Sequence, residues 1–195
     1  MVHKELKTTT KTAEHDLSDG AGTVQTILAD IEAGGDQAAL DYAAKFDKYE
    51  GNVILTADEI AAATALVPEK LKADIQFAHD NVRRFAELQK STMTDVETEV
   101  VPGLIAGQKA IPVRAAGCYV PGGRYSHIAS AIMTVTTAKV AGCEHIVACS
   151  PPRPDAGVNP AIIYAAHLCG ADKILAMGGV QGVAAMPLGR FDPVS

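Results

Sequence analysis

The sequence contains no tryptophan, and aromatic residues make up only 5% of its 195 residues. This scarcity argues against a protein whose main task is to stack nucleic-acid bases on aromatic side chains. Basic residues are outnumbered too, because 17 Lys and Arg stand against 23 Asp and Glu, which gives a net charge of −6. A net acidic chain is a poor general ligand for nucleic acids or anionic membranes, so we expect it to bind neither.

Signals for export, membrane insertion and zinc binding are also missing. The first residues, MVHKELKTTTKT, lack the apolar core of a signal peptide, and no run of about 18 apolar residues occurs. The cysteines, which form no CxxC pair, are Cys118, Cys143, Cys149 and Cys169. We expect them to be buried, reduced thiols of a cytoplasmic protein. P-loop, HExxH and GxSxG motifs do not occur either.

Residues 1–94 have the spacing of a helical region. Gly34-Gly35 interrupts one helical pattern, and Asp36 is a suitable cap for the helix that follows. Thr56 and Glu59 have the spacing of a capping box at the start of another helix. The charged residues between these helices are typical of a solvated helix end, namely Lys45, Asp47, Lys48 and Glu50.

A longer helix is predicted from Pro68 to about Lys90. Its apolar residues recur every three or four positions, which is typical of a stripe that packs against other elements. This stripe consists of Leu71, Ile75, Ala78, Val82, Phe85 and Leu88.

In residues 95–195 the predicted pattern includes strands as well as helices. Val96–Val101 and Leu104–Val113 flank a Pro-Gly turn and predict a β-hairpin. From Ala115 onward a strand, a glycine loop and a helix alternate three times, which predicts a parallel sheet with helices on its faces. The sequence therefore predicts an α/β fold with a helical region, 1–94, and a sheet-forming unit, 95–195. No closing helix or strand follows Gly189, so we expect this unit to be incomplete.

The first candidate binding loop is Tyr119-Val120-Pro121-Gly122-Gly123-Arg124-Tyr125-Ser126-His127. It joins a predicted strand to a helix, where glycines let a ligand approach the backbone and the helix N-terminus attracts anions. Arg124 and His127 add two donors, so the loop is a candidate site for an anionic group. The same residues also fit a plain glycine turn, with Arg124 in solvent and His127 capping the helix. Spacing alone leaves both interpretations open.

The second candidate loop is Met177-Gly178-Gly179-Val180-Gln181-Gly182. It repeats the order of strand, glycine pair and helix, and the Gln181 amide could bind a ribose, an amide or a base edge. The loop is not a GxGxxG motif, and no acidic residue follows about 20 positions later to bind a ribose. By its spacing, the loop is a weak signal for dinucleotide binding.

Five ordered blocks of this sequence resemble the histidinol dehydrogenase family. They are Tyr119–Gly123, Ala138–Cys143, Cys149–Pro152, Ala165–Gly170 and Gly178–Ala185. The resemblance is strong from about Val96 to Leu188, and weaker in the N-terminal helices.

The resemblance implies an NAD-linked, zinc-dependent alcohol dehydrogenase, built as a homodimer with Rossmann-like domains, that oxidises a primary alcohol in two hydride transfers. In the family, residues matching Tyr119 and Gln181 contact NAD, and Gly178 and Gly179 belong to the same loop. The zinc ligands and the catalytic glutamate–histidine pair lie in the second half of the family's chains. We therefore expect no catalytic residue and no zinc ligand in this chain, which corresponds to the N-terminal half.

The loop after Pro121 departs from the usual family pattern, in which small and apolar residues follow the glycine pair. Here Arg124 and His127 occupy that segment. An arginine repels cationic histidinol and attracts a sulfonate or carboxylate. The segment resembles the sulfopropanediol dehydrogenase branch, which implies oxidation of 2,3-dihydroxypropane-1-sulfonate to sulfolactate, with Arg124 and His127 binding the substrate. A histidinol dehydrogenase proper and an inactive nucleotide-binding fragment remain the alternatives.

Overall fold

A computed structural model of the chain describes residues 18–122 and 125–191. In these residues the chain forms six helices and five strands. The helices are α1 (Ser18–Asp47), α2 (Ala57–Leu66), α3 (Glu69–Ser91), α4 (Ile128–Ala141), α5 (Pro160–Cys169) and α6 (Gly179–Ala185). The strands are β1 (Val96–Val101), β2 (Leu104–Gln108), β3 (Ala115–Tyr119), β4 (His145–Ser150) and β5 (Lys173–Ala176).

A three-stranded parallel sheet in the order β3-β4-β5 organises the C-terminal part of the structure. The segment before α2 lies along the outer edge of β5, where Ile54 forms an antiparallel bridge with Leu175. Strands β1 and β2 form a separate antiparallel hairpin. The hairpin is confirmed, but its second strand ends at Gln108 rather than at the predicted Val113.

Both faces of the sheet are covered by helices, as the α/β prediction requires. On β4 and β5, alternate residues point to opposite faces because the side-chain period of a strand is two. Ile146 and Ile174 join a core with α2, α3, α4 and α5, whereas Cys149 and Leu175 join a second core with α1 and α6. The sheet therefore places its strand ends between two packed helical layers.

The helix boundaries follow local sequence signals. Helix α1 consists of two helical segments joined at Gly35, whose φ of 68° and ψ of −149° are not helical, as the glycine pair predicts. Thr56 and Glu59 form the predicted capping box of α2. Helices α4 and α5 end at Gly142 and Gly170, both in the left-handed conformation.

The predicted stripe of α3 is wrong at its C-terminal end. Phe85 and Leu88 are 63% and 59% exposed, whereas the buried residues of α3 are Ile75, His79 and Ala86. A helix turns by about 100° per residue, so Phe85 and Leu88 lie roughly 80° and 140° away from the direction of Ile75. The apolar residues of the stripe up to Val82 pack on the core, whereas Phe85 and Leu88 have turned away from it.

Among the described residues no helix is long and apolar enough to cross a membrane. The four cysteines, Cys118, Cys143, Cys149 and Cys169, are all buried and free, as expected from their spacing.

Candidate functional site

The candidate site lies at the carboxyl edge of the parallel sheet. Strands β3, β4 and β5 all end at this edge, at Tyr119, Ser150 and Ala176. In open parallel sheets, ligands bind outside the carboxyl ends of the strands. The topology therefore brings the two predicted loops, which follow β3 and β5, to the same edge.

The Gly178–Gly179 turn is held by side chains from two distant parts of the chain. The Tyr119 hydroxyl oxygen accepts a hydrogen bond from the Gly179 N–H at 3.3 Å. The Asp47 carboxylate accepts one from the Gly178 N–H at 3.0 Å and one from the Gln181 amide nitrogen at 3.2 Å. The structure thus brings Tyr119, Gly178, Gly179 and Gln181 together at this edge.

Asp47 is the residue of this group that sequence reasoning missed. It was predicted to be part of a solvated helix end together with Lys45, Lys48 and Glu50. Those three residues are exposed, but Asp47 is half-buried and bonded to the second candidate loop. Asp47 and Gln181 are 134 positions apart, so no local pattern reveals the pair.

The two glycines of the turn are needed for different reasons. A Cβ on Gly178 would lie 2.7 Å from both Asp47 Oδ1 and the Pro151 side chain, so no larger residue fits. Gly179 has a φ of 56°, a left-handed conformation that favours glycine. Close packing therefore accounts for Gly178, and backbone conformation accounts for Gly179.

Gln181 is only 2% exposed. Its amide nitrogen points to Asp47, and its Oε1 lies 2.8 Å from the place where a Cβ on Gly179 would stand. In this structure the Gln181 amide packs on the buried side of the turn, while Gly179 itself is exposed at the edge of the sheet. A ligand that is to contact the amide must therefore displace the turn.

Burial and negative charge act together on the acidic groups of this edge. Burial raises the pKa of the Tyr119 hydroxyl, and the nearby Cys149 and Asp47 raise it further. The hydrogen bond from Gly179 lowers this pKa and so opposes the rise. Burial also raises the pKa of the Cys149 thiol to about 12, with a further contribution from Asp47. Both groups are therefore protonated at neutral pH, and Tyr119 can donate its O–H proton to a ligand.

The first candidate loop is described only in part, because Arg124 lies outside the described residues, as does Gly123. His127 occupies the N-cap position of α4 and is exposed, and its side chain makes no capping hydrogen bond. The capping role considered for His127 is therefore wrong. The loop is instead closed by the His127 N–H, which donates to the Pro121 carbonyl oxygen at 3.2 Å.

Ser150 is a second polar residue at this edge that the sequence analysis did not single out. It is buried, and its hydroxyl has no hydrogen-bond partner among the described residues. A Cβ on Gly122 would lie 2.6 Å from this hydroxyl, so Gly122 is required by contact with β4. Its position at the end of a buried strand was the only signal available in the sequence.

The described residues do not fit a zinc site. They include no group of three or more His, Cys, Asp or Glu residues placed to hold a metal ion. Their fit to a nucleotide is better, because the edge offers the Tyr119 hydroxyl, the Asp47 carboxylate and the exposed Gly179 backbone.

The sequence profile of the family described as histidinol dehydrogenase matches residues 10–193. The chain belongs to the histidinol dehydrogenase family. It is 34% identical to the crystal structure of histidinol dehydrogenase from Elizabethkingia anophelis, with a TM-score of 0.82. The match covers 93% of this chain and 41% of that chain, and it confirms the predicted α/β fold.

Curated members of the histidinol dehydrogenase family differ in their similarity to the chain. It is 74% identical to sulfopropanediol 3-dehydrogenase of Ruegeria pomeroyi over 98% of this chain and 44% of the relative. It is 56% identical to a histidinol dehydrogenase homolog of the same organism, over 89% of this chain and 40% of the relative. It is 41% identical to histidinol dehydrogenase of Methanosarcina barkeri, again over 89% of this chain and 40% of the relative. The chain thus spans less than half the length of these relatives.

Proposed function

We propose that the chain is the N-terminal portion of an NAD-dependent dehydrogenase that oxidises 2,3-dihydroxypropane-1-sulfonate to sulfolactate. The observation that carries this proposal is the 74% identity to sulfopropanediol 3-dehydrogenase, against 41% to a histidinol dehydrogenase. The reaction converts a primary alcohol to a carboxylate in two hydride transfers, each of which reduces one NAD, and a water molecule supplies the second carboxylate oxygen. The proposed place of action is the cytoplasm.

The carboxyl edge of the sheet is the proposed NAD site. Tyr119, Gly178, Gly179 and Gln181 are the proposed cofactor-binding residues, and their contacts around one turn support this assignment. The Tyr119 hydroxyl and the exposed Gly179 backbone would meet the cofactor first. Gln181 would do so once the turn has moved. NAD supplies the hydride acceptor, whereas these residues bind and orient it.

Arg124 and His127 are the proposed substrate-binding residues. A guanidinium is planar and can donate two parallel hydrogen bonds to two sulfonate oxygens. His127 follows three positions later and is exposed, so its ring is accessible to a ligand. Histidinol carries a positive charge and would be repelled by the arginine.

Two further features of the family complete the proposal. Catalytic zinc would be held by residues of the enzyme outside this chain, since the described residues do not fit it.

The enzyme would be a homodimer, and the surface of this part supports that. Large apolar side chains are exposed on α3 and on the hairpin, among them Phe77, Phe85, Leu88, Val100 and Ile105.

A histidinol dehydrogenase proper is the second candidate, because a relative of that name is 41% identical. Substitution of Arg124 separates the two in the full-length enzyme. A charge-assisted hydrogen bond contributes about 1.5–3 kcal/mol, so Arg124→Ala should weaken sulfonate binding roughly 10- to 150-fold. Arg124→Lys should recover part of the loss, because it keeps the charge without the planar fork.

Steady-state kinetics with the sulfonate and with NAD as the varied substrates provide the measurement. The KM for NAD should stay the same in both variants. Unchanged sulfonate kinetics in Arg124→Ala would contradict the assignment of Arg124 and favour the histidinol alternative.

A further inference from the structure

We infer that Asp47 accepts a hydrogen bond from a ribose hydroxyl of the cofactor, an inference that rests on the proposed function. Acidic residues bind ribose in many dinucleotide sites and are usually found about 20 residues after the glycine loop. The fold supplies a carboxylate to the same turn from α1, 131 positions earlier in the chain.

Among the described residues, hydrogen bonds are donated to only one of the two carboxylate oxygens of Asp47. Both hydrogen bonds that the described residues donate to Asp47 end on Oδ2, from the Gly178 N–H and the Gln181 amide. Oδ1 lies on the other side of the carboxylate, 2.7 Å from the place of a Cβ on Gly178. Within the described part of the chain Asp47 forms no ion pair, so its negative charge is not neutralised by a neighbouring cation.

The surroundings of Asp47 select a neutral donor. A carboxylate has no proton to give and repels phosphate, so the pyrophosphate of the cofactor is a poor ligand for this position. The Gly178 N–H, which could otherwise bind an anion, already donates to Asp47. A ribose diol provides O–H donors without charge and fits both conditions. NAD has two riboses with this chemistry, one on adenine and one on nicotinamide.

Asp47→Asn tests the inference without removing the support of the turn. The side-chain oxygen of Asn can take the place of Oδ2 and accept from Gly178 and Gln181, while its NH₂ takes the place of Oδ1. A charge-assisted bond is thereby exchanged for a neutral one, and NADH should bind roughly 5- to 15-fold more weakly. Asp41→Asn is the matched control, because Asp41 is an exposed residue of α1 that accepts from Gln37 at 2.8 Å.

Fluorescence titration with NADH and NADPH is the measurement, with AMP and nicotinamide mononucleotide as competitors. A lower preference for NADH over NADPH in Asp47→Asn would assign the adenosine ribose, because the carboxylate no longer repels the 2′-phosphate. Weaker competition by nicotinamide mononucleotide with an unchanged preference would assign the nicotinamide ribose. Either result supports the inference. Thermal unfolding of the variant and amide exchange at Gly178 should stay as in the parent.

Two other results would overturn the inference and differ in what they say of the proposed function. If Asp47→Asn binds NADH, AMP and nicotinamide mononucleotide as the parent does, Asp47 is not a ribose ligand, while the proposed NAD site stands. If the parent enzyme itself binds neither NADH nor NADPH, the proposed cofactor site fails and the role of Asp47 fails with it.

Discussion

Cys149 shows how one side chain at the end of a strand determines the position of a helix. Its thiol is fully buried and donates a hydrogen bond to the Met177 carbonyl oxygen, with 3.0 Å between sulfur and oxygen. Helix α6 can approach because residue 182 is glycine, where a Cβ would lie 2.8 Å from this sulfur. The contact joins β4 to the helix that carries Gln181, so packing here determines the geometry of the proposed cofactor site.

The buried thiol predicts a loss of stability at alkaline pH. Burial raises the pKa of Cys149 from 9.0 to about 12. Above pH 9 the unfolded chain loses this proton while the folded chain keeps it, so stability falls as pH rises. Cys149 should contribute about 1.4 kcal/mol per pH unit to this loss between pH 9 and 12, and little below pH 9.

Urea unfolding at several pH values between 8 and 11 measures this slope. The Cys149→Ala variant should be less stable near neutral pH, because it loses a buried side chain, but it should lack this part of the alkaline slope. Equal slopes in the parent and the variant would show that the thiol is not the group responsible.

The polar contacts at the residue scale were the least predictable part of the site. The two glycine loops could be placed from the sequence, because each interrupts an apolar strand before a helix. The contact of Asp47 with Gln181 could not, since it joins residues 134 positions apart and depends on how α1 packs on the sheet. Because Asp47 lies between the charged residues Lys45 and Lys48, the sequence pattern predicts a solvated helix end there.

Helix ends were the most predictable feature at the scale of elements. Caps and terminal glycines act within a few residues, so Thr56, Gly142 and Gly170 could be assigned from the sequence alone. The face of α3 was less predictable. Its apolar spacing identifies a helix, but which residues are buried depends on where α4 and α5 lie.

The capping box at α2 provides a test of local stabilisation. Thr56 accepts from the Glu59 N–H at 3.2 Å, and Glu59 accepts from the Thr56 N–H at 2.8 Å. Replacement of Thr56 by alanine leaves a helix N–H without its acceptor and should lower the free energy of unfolding by about 0.5–2 kcal/mol.

Chemical denaturation of the chain measures this effect. Thr56→Ser is the control, because serine keeps the hydroxyl and should retain most of the stability. A Thr56→Ala variant as stable as the parent would show that the box contributes nothing measurable to the fold.

At the scale of the whole molecule, the described part is well packed around the sheet and open elsewhere. All residues of β1 and β2 are exposed, although a two-stranded hairpin is marginally stable without packing partners. Exposed Phe77 and Phe85 belong to α3, which packs on α4. These surfaces suit further contacts within the longer enzyme that we propose, and they support the homodimer as part of that proposal.

The central claim concerns the substrate, and one measurement tests it most directly. The full-length enzyme is supplied with NAD and either 2,3-dihydroxypropane-1-sulfonate or histidinol, and kcat/KM is determined for each from the formation of NADH. We predict a much higher kcat/KM for the sulfonate, with two NADH formed for each sulfolactate produced. A higher kcat/KM for histidinol would contradict the account and identify the enzyme as a histidinol dehydrogenase proper.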